Sequence, residues 1–472
     1  MYKKIKYTHL TSVITFIFIL FLPTLVFADS VKLLEDPHDA WQARLDLIAQ
    51  AQDTIEVEYY AIEPDTAGKV FIGSLLEAAD RGVKVRILVG GLTHSTIPDE
   101  TIGALILHPN VELRFHNSLE QWYRPSHWLK ALHDKVLLVD DKYLISGGRN
   151  IADKYFDMTP PEKQQTIDRD ILYVGNPNSD NIPMQVRQYF DKLWNSKNVE
   201  LTPTEHHITK PCKGTPKFMY NDFFVCMYHK WRLSKQIPQK EIELQQFLAQ
   251  YKQENPEHFN TNINWVEEAK PVKSIQFAHD PTDKPKMYNN GTSLALSTAL
   301  KNAKKSILYF TPYIVKTDTY LETARKAQEN GVKQTVLTNS AYSGANVFGM
   351  AGTEKDYKDF HKLGLTYWTW QGFHSMHHKT YIIDDHITIS STFNYDPRSQ
   401  DLNTEMLFII DDEAFTKEMQ QANQVFFDNS LQLDDNGNAI PREGVEESQT
   451  SFTDNLIMFL AKLPLPLIRW AI

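Results

Sequence analysis

Two stretches of this chain repeat one another: His133-Asp134-Lys135-Val136-Leu137-Leu138-Val139-Asp140 and His377-His378-Lys379-Thr380-Tyr381-Ile382-Ile383-Asp384. Both read H-x-K-x4-D. Both then run through six residues to a small-small-x-Asn tail, Gly147-Gly148-Arg149-Asn150 and Ser391-Thr392-Phe393-Asn394. A single copy is a weak signal, because histidine and lysine are ordinary residues; two copies with the same downstream asparagine are a strong one. One copy supplies one imidazole, one ammonium and one amide, so the duplication asks for two halves brought face to face around one site.

The repeat extends beyond the motifs. In the first half Thr54–Tyr60 alternates like a strand and Gly73–Ala79 reads as one face of a helix. Arg81-Gly82-Val83 then closes that helix and leads into a buried strand through Val89. In the second half Lys305–Phe310 is the strand, Tyr320–Gln328 the helix, and Asn330-Gly331-Val332 repeats the exit. Strands alternating with helices predict an α/β fold, each half a mixed sheet flanked by helices. Within each motif an apolar strand ends in Asp-Asp, a turn signal, and Tyr143–Ile145 or Ile387–Ile389 returns beside it. His and Lys two apart on a strand share a face, and the return strand carries the asparagine back to them.

These boundaries give five segments. Residues 1–28 read as a signal peptide, 29–200 as the first half, 201–283 as an insertion, 284–430 as the second half, and 431–472 as a linker with an apolar tail. Lys3, Lys4 and Lys6 precede an apolar run, and Val26-Phe27-Ala28 suits a signal peptidase. An uncleaved anchor is the other reading, the run being close to spanning length. Either one places the body outside the cytoplasm, periplasmic or secreted. Cys212 and Cys226 are the two cysteines, and in an oxidising compartment they are expected to pair. Lys240–Gln253 has helical character, and Asp434–Gln449 is expected as a flexible connector. The tail, Asn455–Ile472, is too short and Pro-broken to span a bilayer. It reads either as a membrane-surface contact, with Arg469 and Trp470 at headgroup level, or as a segment packed on the body.

The candidate chemistry is cleavage of a phosphodiester without a metal. Lys135, Lys379, Asn150 and Asn394 would hold the anionic oxygens and stabilise transition-state charge. One histidine, His133 or His377, attacks phosphorus to give a phosphohistidine, and the other handles the leaving-group proton. A nucleophilic histidine needs an acceptor for its other ring nitrogen. Asp168-Arg169-Asp170 parallels Asn403-Thr404-Glu405 ahead of an apolar strand, and Asp170 and Glu405 are assigned that orienting role. Asp140 and Asp384 complete the candidate set, expected to secure the turn rather than touch substrate. His206-His207 and His374 lack an evident ligand set, so neither a metal nor a cofactor is inferred.

The duplicated motif with its asparagine tail resembles the phospholipase D superfamily. Arg81-Gly82-Val83, His108–Arg114, Gly147–Phe156 and Asn394–Ser399 leading to Leu402–Glu405 are similar to the bacterial cardiolipin synthases of the C type. The likeness covers residues 40–200, 290–430 and the tail. It implies a metal-independent ping-pong phosphatidyl transfer, with a membrane glycerophospholipid of the phosphatidylglycerol, phosphatidylethanolamine or phosphatidylcholine class as partner. Transfer to water gives phosphatidic acid, and transfer to phosphatidylglycerol gives cardiolipin. The longer insertion and the leader depart from that pattern and favour an exported hydrolase. An exported endonuclease or phosphodiesterase is the alternative. The net charge of −10 weighs against it, since nucleic-acid affinity rests on phosphate neutralisation. A non-catalytic lipid-binding protein ranks last, because both motifs are complete.

Overall fold

The computed structural model describes residues 29–91, 97–117, 130–201, 239–259, 263–284 and 291–471. The leader, both cysteines and His206-His207 lie outside the described residues. The first half contributes β1 (Ser30–Leu34), β2 (Thr54–Tyr59), β3 (Lys84–Gly90), β4 (Val111–His116), β5 (Lys135–Val139), β6 (Tyr143–Gly147), β7 (Thr166–Ile167), β8 (Asp170–Val174), β9 (Val199–Leu201) and β10 (Lys270–Pro271). The second contributes β11 (Ser274–His279), β12 (Ser306–Phe310), β13 (Lys333–Asn339), β14 (Leu365–Trp370), β15 (Ser375–Met376), β16 (Thr380–Ile383), β17 (Ile387–Ser391), β18 (Met406–Asp411) and β19 (Ser430–Gln432).

The two large sheets share one topology. The first runs β10-β1-β8-β6-β5-β2-β3-β4-β9 and the second β11-β18-β17-β16-β12-β13-β14-β19, so that apart from β10 each strand has its counterpart. In each, three parallel strands joined by helices are continued by an antiparallel hairpin that carries the motif. The α/β reading, in two similar halves of mixed sheet flanked by helices, is what the chain adopts. Gly82 and Gly331 take φ values of +102° and +71°, the left-handed helix exit that the repeated Gly-Val signal implied.

Alternation on β5 sorts its side chains between two cores. Leu137 and Val139 face the helices Pro37–Gln50 and Thr66–Asp80. Val136 and Leu138 face the other half, in a cluster that also holds Ile382, Met406, Phe408 and Met419. That shared core joins the sheets, with Tyr173 and Phe408 ring centroids 4.6 Å apart. Burying large apolar side chains contributes roughly 1.5–3 kcal/mol each, so this cluster is enough to hold the halves together. Arg169 adds a polar tie: from the first half it donates to Asn423 of the second at 2.7 Å and lies over the Phe310 ring.

Part of the insertion belongs to the body. Residues 239–254 are helical, in agreement with the sequence reading, and seat Leu244, Leu248 and Tyr251 in the first core. The segment expected as a flexible connector is fastened instead. Ile440 N donates to Gln432 O, Arg442 to Phe427 O, and Ser448 N to the Gln371 side chain. Turn-forming Asp, Asn and Gly residues mimic a linker in composition, yet here they close hydrogen-bonded turns on the edge of the second sheet.

Candidate active site

Both motifs open at the C-terminal ends of the parallel strands, where α/β sheets place their ligands. Lys135 pairs with Tyr59 at the end of β2, and Thr380 pairs with Phe310 at the end of β12. His133 and His377 lie just before these strands and are held by the opposite half. His133 N donates to Thr404 O and His377 N donates to Ile167 O. The second contact extends the short parallel pairing of β7 with β15. Two crossed backbone clamps therefore carry the two histidines to the seam.

Each imidazole is oriented by a carboxylate from the other half. His133 Nδ1 meets Glu405 Oε2 at 2.9 Å, and His377 Nδ1 meets Asp168 Oδ2 at 2.7 Å. With Nδ1–H donating to a carboxylate, each Nε2 keeps a lone pair. Glu405 is as expected, but across the seam. Asp170 is a correction. It is buried between Arg44 and Arg149, 2.8 and 3.2 Å away, and touches neither histidine. The sheet register explains the error. Gly147 pairs with Asp170 and its counterpart Ser391 pairs with Leu407, so the residue equivalent to Glu405 lies two earlier, at Asp168. Loops of different length between asparagine and acid hid that register in the sequence.

The paired small residues now have a reason. A Cβ on Gly148 would lie 2.1 Å from Asp168 Oδ1, so only glycine lets this carboxylate reach His377. Its counterpart Thr392 instead donates its hydroxyl to Glu405 at 2.6 Å, and Ser399 donates at 2.8 Å. The sequence marks Gly148, Thr392 and Ser399 but not their role in holding the two carboxylates.

Lys135 Nζ donates to His133 O at 2.6 Å, and Lys379 Nζ lies 3.8 Å from Asp168. Burial is the largest effect on both ammonium groups and brings each down to about 8. Lys379 further depresses Lys135, while Asp168 and Glu405 counter the fall at Lys379. Burial, then the lysines, lowers both imidazoles, His377 to about 3 and His133 well below its ordinary value. Asp168 is held well below the carboxylate range: burial opposes this, but Lys379 and His377 prevail. Burial leaves Glu405 raised despite Lys135, Thr392 and Ser399.

Asn150 and Asn394 are buried at the site. Asn150 donates to Tyr155 Oη at 3.2 Å, and each asparagine keeps a buried Oδ1 without a protein partner. Asp140 and Asp384 lie at the far end of the motif strands, roughly 16 Å from the lysines at ~3.3 Å per residue. They do not belong to the cluster of His, Lys and Asn side chains. Asp140 accepts from Gln52 N, Asp53 N and Thr54 N, and Asp384 from Lys304 N, Lys305 N and Ser306 N. His374 accepts from Gln165 N at 3.2 Å.

The sequence matches the family described as "Cardiolipin synthase, PLD-like domain" over residues 45–194 and 296–426, more than half of the chain. The chain belongs to that phospholipase D-like family and is an enzyme of the phosphatidyltransferase class. It is 26% identical to cardiolipin synthase C of Escherichia coli strain K12 over 423 residues, which cover 81% of this chain and 82% of that protein. An uncharacterized protein of Helicobacter pylori strain 26695 is 27% identical over 421 residues, covering 82% of this chain and 77% of the other. In fold, the chain is similar to phosphatidylserine synthase of Haemophilus influenzae Rd KW20. The TM-score is 0.65 at 12% identity, covering 95% and 98% of the two chains.

Proposed function

We propose that this enzyme transfers the phosphatidyl group of a membrane glycerophospholipid through a phosphohistidine. The observation that carries the reading is the crossed pair of Nδ1–carboxylate bonds, His133 to Glu405 and His377 to Asp168. Each leaves the Nε2 without a proton, that of His377 lying 3.2 Å from the Lys379 ammonium. One Nε2 attacks phosphorus, the P–O bond to the headgroup alcohol breaks, and the other imidazole, protonated, delivers the proton to that oxygen. The second imidazole then removes a proton from water or an acceptor alcohol, whose oxygen displaces the histidine from phosphorus. Lys135 and Lys379, with the asparagine amides, hold the phosphoryl oxygens. An anionic phosphodiester arriving between the lysines offsets the positive field that depresses both imidazoles, so substrate binding favours protonation of one of them.

Phosphatidylglycerol is the proposed substrate to try first, on the similarity to a cardiolipin synthase. Incubation in EDTA with resolution of the lipids tests this. Cardiolipin with released glycerol marks a synthase, and phosphatidic acid alone a hydrolase. Full activity in His133→Ala or His377→Ala would overturn the mechanism, and metal-free nicking of plasmid DNA without lipid turnover would replace it by the phosphodiesterase reading. We also propose export of the body by the leader, to be tested by fractionation of cells expressing the full chain.

A further inference from the structure

The segment Phe452–Ala471 has two apolar faces, and the fold buries one of them. Residues Phe452–Lys462 form a helix begun by a Ser451–Asp454 capping box, followed by short turns at Leu465–Ile468 and Arg469–Ala471. Met458, Ala461 and Leu465 dock on the helix Val347–His361 beside Met350 and Tyr313. The opposite stripe, Phe452, Leu456, Phe459, Leu463, Leu467 and Trp470, follows helical spacing and faces solvent, with Phe452 84% and Leu467 80% exposed. Aromatic and leucine side chains left this open sum to several hundred Å², more than a monomer ordinarily leaves bare.

We infer that this stripe is a docking surface for a phospholipid bilayer, lying on the interface rather than crossing it. This deepens the transfer reading above, since it names how the enzyme meets the substrate. Three observations select lipid as the occupant. First, the stripe is joined to the site: the turn Arg469–Ala471 packs on the helix Pro397–Asp401, whose Ser399 hydroxyl holds Glu405, the partner of His133. Second, the segment carries no carboxylate beyond Asp454, although the chain has a net charge of −10. Third, its two cations are spent on the body: Lys462 pairs with Glu354 and Arg469 with Asp356, which fixes the helix with the apolar stripe outward. An apolar helical face of this kind, with Trp at its end, suits the headgroup–acyl boundary. Because the cations are paired, attachment is expected to depend little on anionic lipid.

The test uses the chain from Asp29, which holds every described element and lacks the apolar leader that would itself bind vesicles. Flotation with phosphatidylcholine vesicles, with and without phosphatidylglycerol, is compared for the parent, Leu467→Glu and the triple variant Phe459→Glu/Leu463→Glu/Leu467→Glu. The expected result is at least a ten-fold loss of vesicle binding in the triple variant and a partial loss in Leu467→Glu. Turnover of vesicle substrate should fall in step, with turnover of the same lipid in detergent micelles within two-fold of the parent. Vesicle binding by the triple variant equal to the parent's would overturn the inference. So would a parent dimer that the substitutions dissociate without affecting vesicle binding. Stripe-dependent flotation of a parent that turns over no phospholipid would leave the docking surface standing and remove the transfer reading instead.

Discussion

Asp168 and Asp170 differ by two positions and by everything that surrounds them. Asp168 reaches His377 through the space left by Gly148, whereas Asp170 neutralises two buried arginines. Asp168→Asn is expected to lower kcat of the folded protein by about 10³-fold or more, as a mis-set imidazole does. Asp170→Asn leaves Arg44 and Arg149 short of a counter-charge and is expected to cost about 3–5 kcal/mol of stability instead. Steady-state kinetics and thermal melts of the two variants check the contrast, and equal kinetic loss in both would contradict it. The lysines set a pH limit. Burial brings both down to about 8, so the proposed clamp on the phosphoryl oxygens loses its charge as pH rises past that value. The expected outcome is a fall in kcat/KM above about pH 8, read from a pH–rate profile on one vesicle substrate; a plateau to pH 10 would refute it.

The motif hairpins gain their rigidity at the end away from the chemistry. Asp140, Asp141, Asp384 and Asp385 all adopt positive φ, between 52° and 65°, where aspartate is tolerated better than most residues. Asp140 and Asp384 then staple three backbone N–H groups each, at the turn before β2 and before β12. Their carboxylates belong to the motif because the hairpin must be anchored to the strand that it pairs with. Asp384→Ala is expected to lower stability by about 2–3 kcal/mol, as loss of charged hydrogen bonds to several donors does. Activity per folded molecule should remain within a few-fold of the parent. Denaturant melts alongside active-site titration measure both, and a 10³-fold loss of kcat in a fully folded variant would return Asp384 to the chemistry. The strands, the helix exits at Gly82 and Gly331, and this turn role were all legible in the sequence, because hydrophobic period and turn residues are local signals.

At the scale of the molecule, neither half orients its own motif histidine. Glu405 serves His133 and Asp168 serves His377, while Val136, Leu138, Ile382 and Phe408 share one core. Separately expressed pieces, residues 29–262 and 263–472, are therefore expected to lack turnover, and co-expression to restore it through the common core. Activity in an isolated half, above that of a His→Ala control, would contradict the crossed arrangement. Two residue motifs and a repeated strand–helix pattern were enough to establish the α/β class in two halves, and they pointed to the six His, Lys and Asn side chains and to Glu405 as candidates. Local spacing carries that information, since side chains two apart on a strand share a face wherever the strand lies. Which acid orients which histidine, the fastening of residues 434–449, and the outward stripe of the tail depended on register and packing between segments far apart in the chain. Such choices are settled by burial and hydrogen-bond satisfaction across the seam, which tertiary structure alone decides.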